Sequence, residues 1–368
     1  MSKPRILLLS AYDASSHRYW RELLTHKLPD FDWSVATLPD RHFYWRVRSN
    51  AMTYALLHRD ILLAHYDLIL ATSMVDLCGL RGLLPSISQT PTVLYFHENQ
   101  FAYPVRQPSS NIINAQLVSI YSALCANRVI FNSDYNRQTF LSGADALLKK
   151  MPDGVPRDTM ADVDRLSDVL PVPVHTPTIT AIAENKVAAK GLEIVWNHRW
   201  EYDKQPEVFF AAMHLLQQAG IPFTLHVMGQ SFRNSPPCFA EAQQSLKAHI
   251  ETWGYQPKDS YERILRQSHV VVSSAAHDFQ GLGMLEAISL GCVPVAPARV
   301  AYTEYVPESL LYHCDAEDHN EAQVLFEKVV ELSRAKLPPA PDVSQYYTDN
   351  LLDSYRRLLT DTLSAPCN

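Results

Sequence analysis

Short apolar runs alternate with longer amphipathic ones along this chain. Arg5 to Ser10 (RILLLS) predicts a buried strand, and Arg18 to Lys27, with apolar residues at helical spacing, predicts a helix. Trp33 to Thr37 reads as a second strand, Ala51 to His65 as a helix and Asp67 to Thr72 as a strand. Thr92 to Phe96 and Arg128 to Asn132 are further strands, with a helix from Ile112 to Ala126 between them. Strands alternating with helices predict a parallel, doubly wound α/β sheet. From Met151 to Pro177 the pattern lapses: Pro152, Pro156, Pro171, Pro173 and Pro177 interrupt it, which predicts a linker or a hinge-proximal excursion. The alternation then resumes. Leu192 to Trp196, Phe223 to Met228, Val270 to Ser273, Val293 to Ala296 and Leu310 to His313 predict strands. Glu207 to Gln218, Cys238 to Glu251, Tyr261 to Gln267, Gly283 to Leu290 and Glu321 to Leu332 predict helices. A proline cluster from Leu337 to Pro341 precedes a last helical stretch, Gln345 to Leu363.

Candidate chemistry concentrates in His277 to Val295, HDFQGLGMLEAISLGCVPV. An acid, Asp278, precedes the turn Gly281-Leu282-Gly283, and a second acid, Glu286, sits inside the helix that the turn opens. Glycine frees the backbone amides there, and the helix dipole favours an anion. Two carboxylates across such a turn fit a nucleotide sugar: its diphosphate rests on the helix start, and each acid accepts from hydroxyls at one end. Taken alone, the pattern equally fits glycines that merely shape a strand-to-helix turn. A second constellation, IVWNHRWEYDK from Ile194 to Lys204, places Arg199 and Lys204 on the loop after a strand's carboxyl end, where open α/β sheets bind ligands. Arginine offers a planar fork for phosphate oxygens and lysine a compact charge. An ordinary pair of surface cations is the alternative.

With these residues in hand, the chain resembles the family 4-type retaining glycosyltransferases and, more closely, the tRNA-queuosine α-mannosyltransferase family. The similar pieces are Ser16-His17, Trp45-Arg46-x-Arg48, Leu94-Tyr-Phe-His-Glu-Asn-Gln100 with Tyr103-Pro104-Val105, and Phe131-Asn132-Ser133. In the second half they are Trp196-x-His198-Arg199-Trp200-Glu201-x-Asp203-Lys204, Trp253-Gly254-Tyr255 and Met284-Leu285-Glu286-Ala287. One departure stands out. Where the family's first acid is usually Glu, this chain has Asp278, shorter by about 1.5 Å.

The resemblance implies a GT-B fold: two Rossmann-like, doubly wound α/β domains facing a cleft. Residues 1–178 would form the acceptor-side domain and 179–338 the nucleotide-sugar domain, with 339–368 a C-terminal helix crossing back to the first domain. It implies retaining transfer of a hexose, mannose from GDP-mannose, to queuosine in tRNA, by front-face attack of the acceptor hydroxyl. No enzyme nucleophile and no metal or other cofactor are implied. Charge on the departing diphosphate is met electrostatically, for which Arg199, Lys204 and the amides of Gly281 to Gly283 suffice. His97, at the end of the strand TVLYF, would contact the donor sugar at the cleft. The catalytic set is then His97, Arg199, Lys204 and Asp278. Ser16, His17, Glu98, Asn99, Asn132, Gly281, Leu282, Gly283 and Glu286 are the substrate-binding set.

Other readings stay open. A strand-end histidine bonded to backbone also accounts for His97, and a helix N-cap by Ser15 or Ser16 accounts for the first loop. Arg41 to Arg48 (RHFYWRVR) mixes arginines with aromatics and carries no acid, which suits stacked bases and phosphates of a single-stranded RNA loop. Arg41, Trp45, Arg46 and Arg48 are therefore candidate RNA contacts, although a snorkelling helix start gives the same pattern. Asp162-Val-Asp164 has the form of a metal-binding D-x-D, but no apolar strand precedes it, and it reads as chance. The formal charge of −7 is not that of a dedicated nucleic-acid binder. The six cysteines form no C-x-x-C pair and point to a reducing cytoplasm. Ile6 to Leu9 is too short for a signal-peptide core, and no apolar run approaches the ~20 residues of a membrane span. No G-x-G-x-x-G follows the first strand, which speaks against a dinucleotide oxidoreductase. A related glycosyltransferase with a lipid or small-molecule acceptor is the alternative enzyme. A silent sugar-nucleotide or RNA-binding module is the alternative of another class.

Overall fold

The computed structural model describes residues 2–103, 110–152, 154–156, 158–177, 191–232, 235–314 and 320–364. The chain divides into two compact units, one of Met1–Pro173 with Thr348–Asn368 and one of Val174–Tyr347. The expected boundary at 178/179 lies outside the described residues. The second crossing comes at 347/348 rather than 338/339, because the segment up to Tyr347 stays with the second unit: Val174 pairs with Tyr347 in a parallel bridge.

The first unit begins with β1 (Arg5–Ser10), α1 (Ser15–Lys27), β2 (Asp32–Thr37), α2 (Phe43–Leu57), α3 (Arg59–Leu62) and β3 (Leu68–Thr72). It continues with α4 (Leu77–Leu83), β4 (Thr92–Phe96), α5 (Ser110–Leu124), β5 (Arg128–Phe131), α6 (Asp134–Leu148), α7 (Thr159–Arg165) and β6 (Ser167–Val169). The six strands pair in parallel in the order β2-β1-β3-β4-β5-β6. β3 and β4 are buried at every position, as continuous apolar runs should be in a sheet covered on both faces. Within the predicted linker from Met151 to Pro177, the surface stretch around Asp162-Val-Asp164, whose sequence reads as helical, is the helix α7, and Ser167 to Val169 supplies a sixth strand that the linker reading missed. That strand, Ser-Asp-Val at a sheet edge, is short and half exposed and carries no apolar run to announce it. The helix expected from Ala51 instead starts at Phe43, after His42 in a left-handed conformation (φ 54).

In the second unit β7 (Leu192–Trp196), α8 (Pro206–Gln218), β8 (Phe223–Met228), α9 (Cys238–Ser245), β9 (Ile250–Gly254) and α10 (Lys258–Gln267) come first. β10 (Val270–Val272), α11 (Leu282–Ser289), β11 (Val293–Pro297), β12 (Leu311–Tyr312) and α12 (Glu321–Arg334) follow. Its parallel sheet has the order β12-β11-β10-β7-β8-β9. The helix expected over Cys238 to Glu251 ends at Ser245, and Glu251 belongs to the edge strand β9, whose half-exposed residues mimic a polar helix end.

The last helix, α13 (Thr348–Ser364), packs in the first unit against β3 and β4. Trp20 stacks on Tyr95 at 4.4 Å, and its indole N–H donates to the Tyr355 hydroxyl at 2.9 Å. That hydroxyl also lies 2.9 Å from the Pro171 carbonyl oxygen, so one buried knot joins α1, β4, α13 and the end of the first segment.

In each sheet the strand order reverses once, between β1 and β3 and between β7 and β10. Loops leaving the carboxyl ends of strands at such a reversal diverge and leave a crevice for ligands.

Candidate active site

The loops after β7 and β10 carry the second unit's ionisable cluster. From Asn197 the chain runs into a single 3₁₀ turn, Tyr202–Lys204, and Gln205 adopts φ 44 before Pro206 opens α8. Lys204 is only 6% exposed. Its Nζ donates to the His277 carbonyl at 2.6 Å and lies 3.2 Å from Asp203 Oδ2 and 3.4 Å from Asp278 Oδ2. An ammonium has three donors, and three oxygens surround this one, which is what makes its burial tolerable. The loop sits under strain that its neighbours hold. Arg299 donates to Gln205 Oε1 (2.7 Å), to the carbonyls of Ser274 and Ala275, and to Glu321, and Val300 beside it has φ 55.

Asp278 fixes the glycine turn. Its Oδ1 accepts from the Gly281 amide at 3.1 Å and its Oδ2 from the Tyr302 hydroxyl at 2.9 Å. Burial alone would raise its pKa, but Lys204 and His198 with the Tyr302 hydrogen bond outweigh burial and hold it below the usual carboxylate range. Gly281 has φ 78, and a Cβ there would meet the Tyr305 hydroxyl at 2.5 Å; one on Gly283 would meet the Asn197 carbonyl oxygen at 3.0 Å. The first glycine thus sets the turn's hand and the second lets α11 approach the β7 loop. Leu282, between them, is half-buried. Arg199 is half-exposed and pairs with Glu201 at 3.0 Å. His198 and His277 are both held neutral, at about 4, by burial and then by Lys204. Glu286 accepts from the Tyr261 hydroxyl at 2.9 Å, and its carboxyl is raised by burial.

Two family models divide the chain between them. Residues 5–174 match the N-terminal domain of tRNA-queuosine alpha-mannosyltransferase, and residues 179–338 match glycosyl transferases group 1. Over 320 residues the chain is 30% identical to a tRNA-queuosine alpha-mannosyltransferase of Drosophila melanogaster, covering 85% of this chain and 84% of that protein. The chain belongs to the tRNA-queuosine alpha-mannosyltransferase family. It is a glycosyltransferase of GT-B fold. A sucrose-phosphate synthase of Thermosynechococcus elongatus superposes with TM-score 0.66 at 14% identity, over 99% of this chain and 100% of that one. A glycosyltransferase of Rickettsia africae does so with TM-score 0.64 at 13% identity, over the whole of both chains. At such identities these two likenesses speak for the fold alone.

Three of the family's first-half motifs, Ser16-His17, the string through His97 and Phe131-Asn132-Ser133, lie at the ends of β1, β4 and β5. His97, 7% exposed, meets His17 edge-to-face at 4.1 Å and Trp20 at 4.8 Å. Burial, then His17, keeps it neutral, and its Nε2 is buried without a hydrogen-bond partner among the described residues. Ser15 and Ser16 do not cap α1. The cap position is Ala14; Ser16 is the second helical residue and is exposed, while His17 is buried. Glu98 is half-buried beside His97.

Asn99 and Asn132 are occupied inside the domain. The Asn99 amide nitrogen faces Asn136 and Thr139, and its oxygen accepts from the Phe101 and Ala102 amides. Asn132 donates to the His97 carbonyl at 2.9 Å and accepts from Asn136. What both hold is the loop that carries His97 and Glu98. The family string Tyr103-Pro104-Val105 lies outside the described residues beyond Tyr103.

The basic-aromatic stretch is the opening of α2. Arg41 and Arg48 are exposed, Trp45 is 68% exposed, and Arg46 is half-buried. Trp45 and Arg48 stand one turn apart on the same face. Asp162 and Asp164 lie on α7, paired with Arg165 and Arg137. Among the described residues no group of His, Cys, Asp and Glu has metal-holding geometry. Nor is any helix there long and apolar enough to cross a membrane.

Sequence reasoning missed Asn197, Tyr261, Tyr302 and Arg299. Asn197 and Asp203 lay inside a motif already quoted. The others carry no local signal, because each acts across a gap of many residues.

Proposed function

We propose that this chain is a retaining mannosyltransferase that moves mannose from GDP-mannose to queuosine in tRNA. The observation that carries the donor reading is the meeting of Arg199, Lys204 and the Gly281–Gly283 helix start on the two loops at the strand-order reversal of the second sheet. Arg199, half-exposed, presents a fork to the diphosphate, and Lys204 supplies a fixed charge from below. The α11 amides, freed by glycine, complete the cradle. These groups meet the charge that develops as the diphosphate leaves, so the reaction is proposed to need no metal ion. Asp278 keeps the turn in shape and Glu286 accepts from a donor hydroxyl. With no enzyme nucleophile assigned, the acceptor hydroxyl attacks from the face that the diphosphate leaves.

His97 fits a contact to the donor sugar. A neutral, buried ring nitrogen with no hydrogen-bond partner among the described residues is satisfied when a ligand hydroxyl supplies one. Ser16, His17 and Glu98 lie around the same strand ends. For the acceptor, family membership supports queuosine-bearing tRNA, and the exposed Trp45, Arg48 and Arg41 offer a stacking ring with two phosphate-seeking cations. The half-buried Arg46 is the weaker contact. The setting is the cytoplasm, in keeping with five free cysteines among the described residues.

The test incubates the protein with a panel of GDP- and UDP-sugars and queuosine-bearing tRNA, then weighs the digested nucleosides by mass spectrometry. A hexose added to queuosine from GDP-mannose alone is the expected result. An unmodified nucleoside pool, with nucleotide sugar still bound, would move the acceptor to a lipid or small molecule.

A further inference from the structure

Glu286 does not stand by itself. Its Oε2 accepts from the Tyr261 hydroxyl at 2.9 Å, and that hydroxyl accepts from Asn197 Nδ2 at 2.9 Å. The second Asn197 amide hydrogen goes to the Gly283 carbonyl at 2.8 Å. Since that carbonyl can only accept, the amide is oriented: nitrogen toward Gly283 and Tyr261. The phenol oxygen already receives a proton from Asn197, so its own hydrogen points at Glu286. A one-way relay results, from the end of β7 through α10 to α11, with its last acceptor inside the donor-binding helix. Glu286 makes no other side-chain hydrogen bond among the described residues, which leaves Oε1 for a ligand hydroxyl. The Asn197 Oδ1 atom is buried without a hydrogen-bond partner among the described residues.

We infer that Tyr261 is a positioning residue for the donor: it clamps one oxygen of Glu286 so that the other meets a hydroxyl of the nucleotide sugar. This rests on the reading of Glu286 as a donor-hydroxyl acceptor. Tyr261 also favours the ionised form of Glu286. Burial, and then Glu262, favour the neutral acid; the Tyr261 hydrogen bond and Lys258 oppose them. Removing the phenol oxygen therefore moves the protonation of Glu286 to higher pH.

The experiment compares Tyr261→Phe, Asn197→Ala and Glu286→Gln with the wild type, using GDP-mannose and queuosine-bearing tRNA over a pH series, with melting temperatures as a check on folding. Tyr261→Phe is expected to raise the donor KM about tenfold, the loss of one hydrogen bond to a charged group. Its kcat stays within about twofold, and the acidic limb of kcat/KM shifts to higher pH. A purely structural tyrosine would not move that limb. Asn197→Ala leaves the phenol in place but frees its rotation, and is expected to raise donor KM by a smaller factor. Unchanged donor KM and pH profile in a folded Tyr261→Phe, with Glu286→Gln impaired, overturns the relay but keeps the role of Glu286. If Tyr261→Phe does not fold, unchanged donor KM in Asn197→Ala overturns it instead. Unimpaired donor binding in Glu286→Gln removes both.

Discussion

The two sheets reverse strand order at comparable places, yet the groups at those places differ in kind. At the first reversal and beside it stand His17, His97, Trp20 and the Asn99–Asn132–Asn136 lattice, closely packed rings and amides with no carboxylate, lysine or arginine in the set. At the second stand Arg199, Lys204, Asp203, Asp278 and Glu286, a dense set of ionisable groups. On the proposed function, the first arrangement would discriminate by shape and hydrogen-bond geometry, and the second would meet the charge of the leaving group. One architecture serves both because the loops, not the sheets, carry the chemistry.

The strongest way to break this comparison is to remove a charge. Lys204→Ala should lower kcat by roughly 10²–10³ if its charge stabilises the leaving diphosphate, measured in single-turnover transfer from GDP-mannose. Near-normal turnover in a folded variant would make the charged cluster structural.

Next comes pH. His198 and His277 are held at about 4 against an ordinary 6.5. Their folded values lie below the unfolded ones, so the stability tied to their neutral forms is complete above about pH 6.5 and lost progressively as pH falls to 4. Each contributes at most about 3 kcal/mol to that loss. Melting temperature against pH should fall less steeply for His198→Gln than for the wild type. An identical slope would show that His198 titrates in the unfolded state no differently from the folded one.

In the neutral lattice Asn136→Ala should cost about 1–3 kcal/mol of stability, by stranding the buried groups of Asn99 and Asn132; urea unfolding reads it. Little change would mean that water replaces the lattice. The smallest effects belong to the exposed face of α2. Trp45→Ala should weaken tRNA binding by about 1–3 kcal/mol. Arg48→Ala should reduce the slope of log affinity against log salt by about one. An unchanged slope would remove Arg48 from the phosphate contacts.

Much of this contrast was legible beforehand. β1, β4, β7 and β8 begin and end where their apolar runs do, because both faces of a covered parallel sheet must be apolar. The glycines at 281 and 283 are read correctly as opening a helix: Gly281 takes φ 78, which few other residues accept, and Gly283 lies in the first turn against the Asn197 carbonyl. The edge strands β6 and β9 escaped notice for the complementary reason: an edge needs little apolar surface, and a short polar strand resembles a loop or a helix end. The cations were placed on the right loop, but the burial of Lys204 was not foreseen, and a lysine's letter says nothing about whether two carboxylates and a carbonyl await it.

The sequence by itself determined two parallel α/β sheets, the loops that bear the charges, the glycine-led opening of α11 and the family. These are local properties: periodicity, backbone permissiveness and short motifs act within a few residues. Only the tertiary structure decided that Lys204 is buried, that Asn99 and Asn132 serve the His97 loop, and that Asn197, Tyr261 and Glu286 form one directed chain. Those facts depend on side chains brought within about 3 Å across long stretches of sequence. Which residues meet there is set by the packing of the sheets and helices that carry them, and no local pattern encodes it.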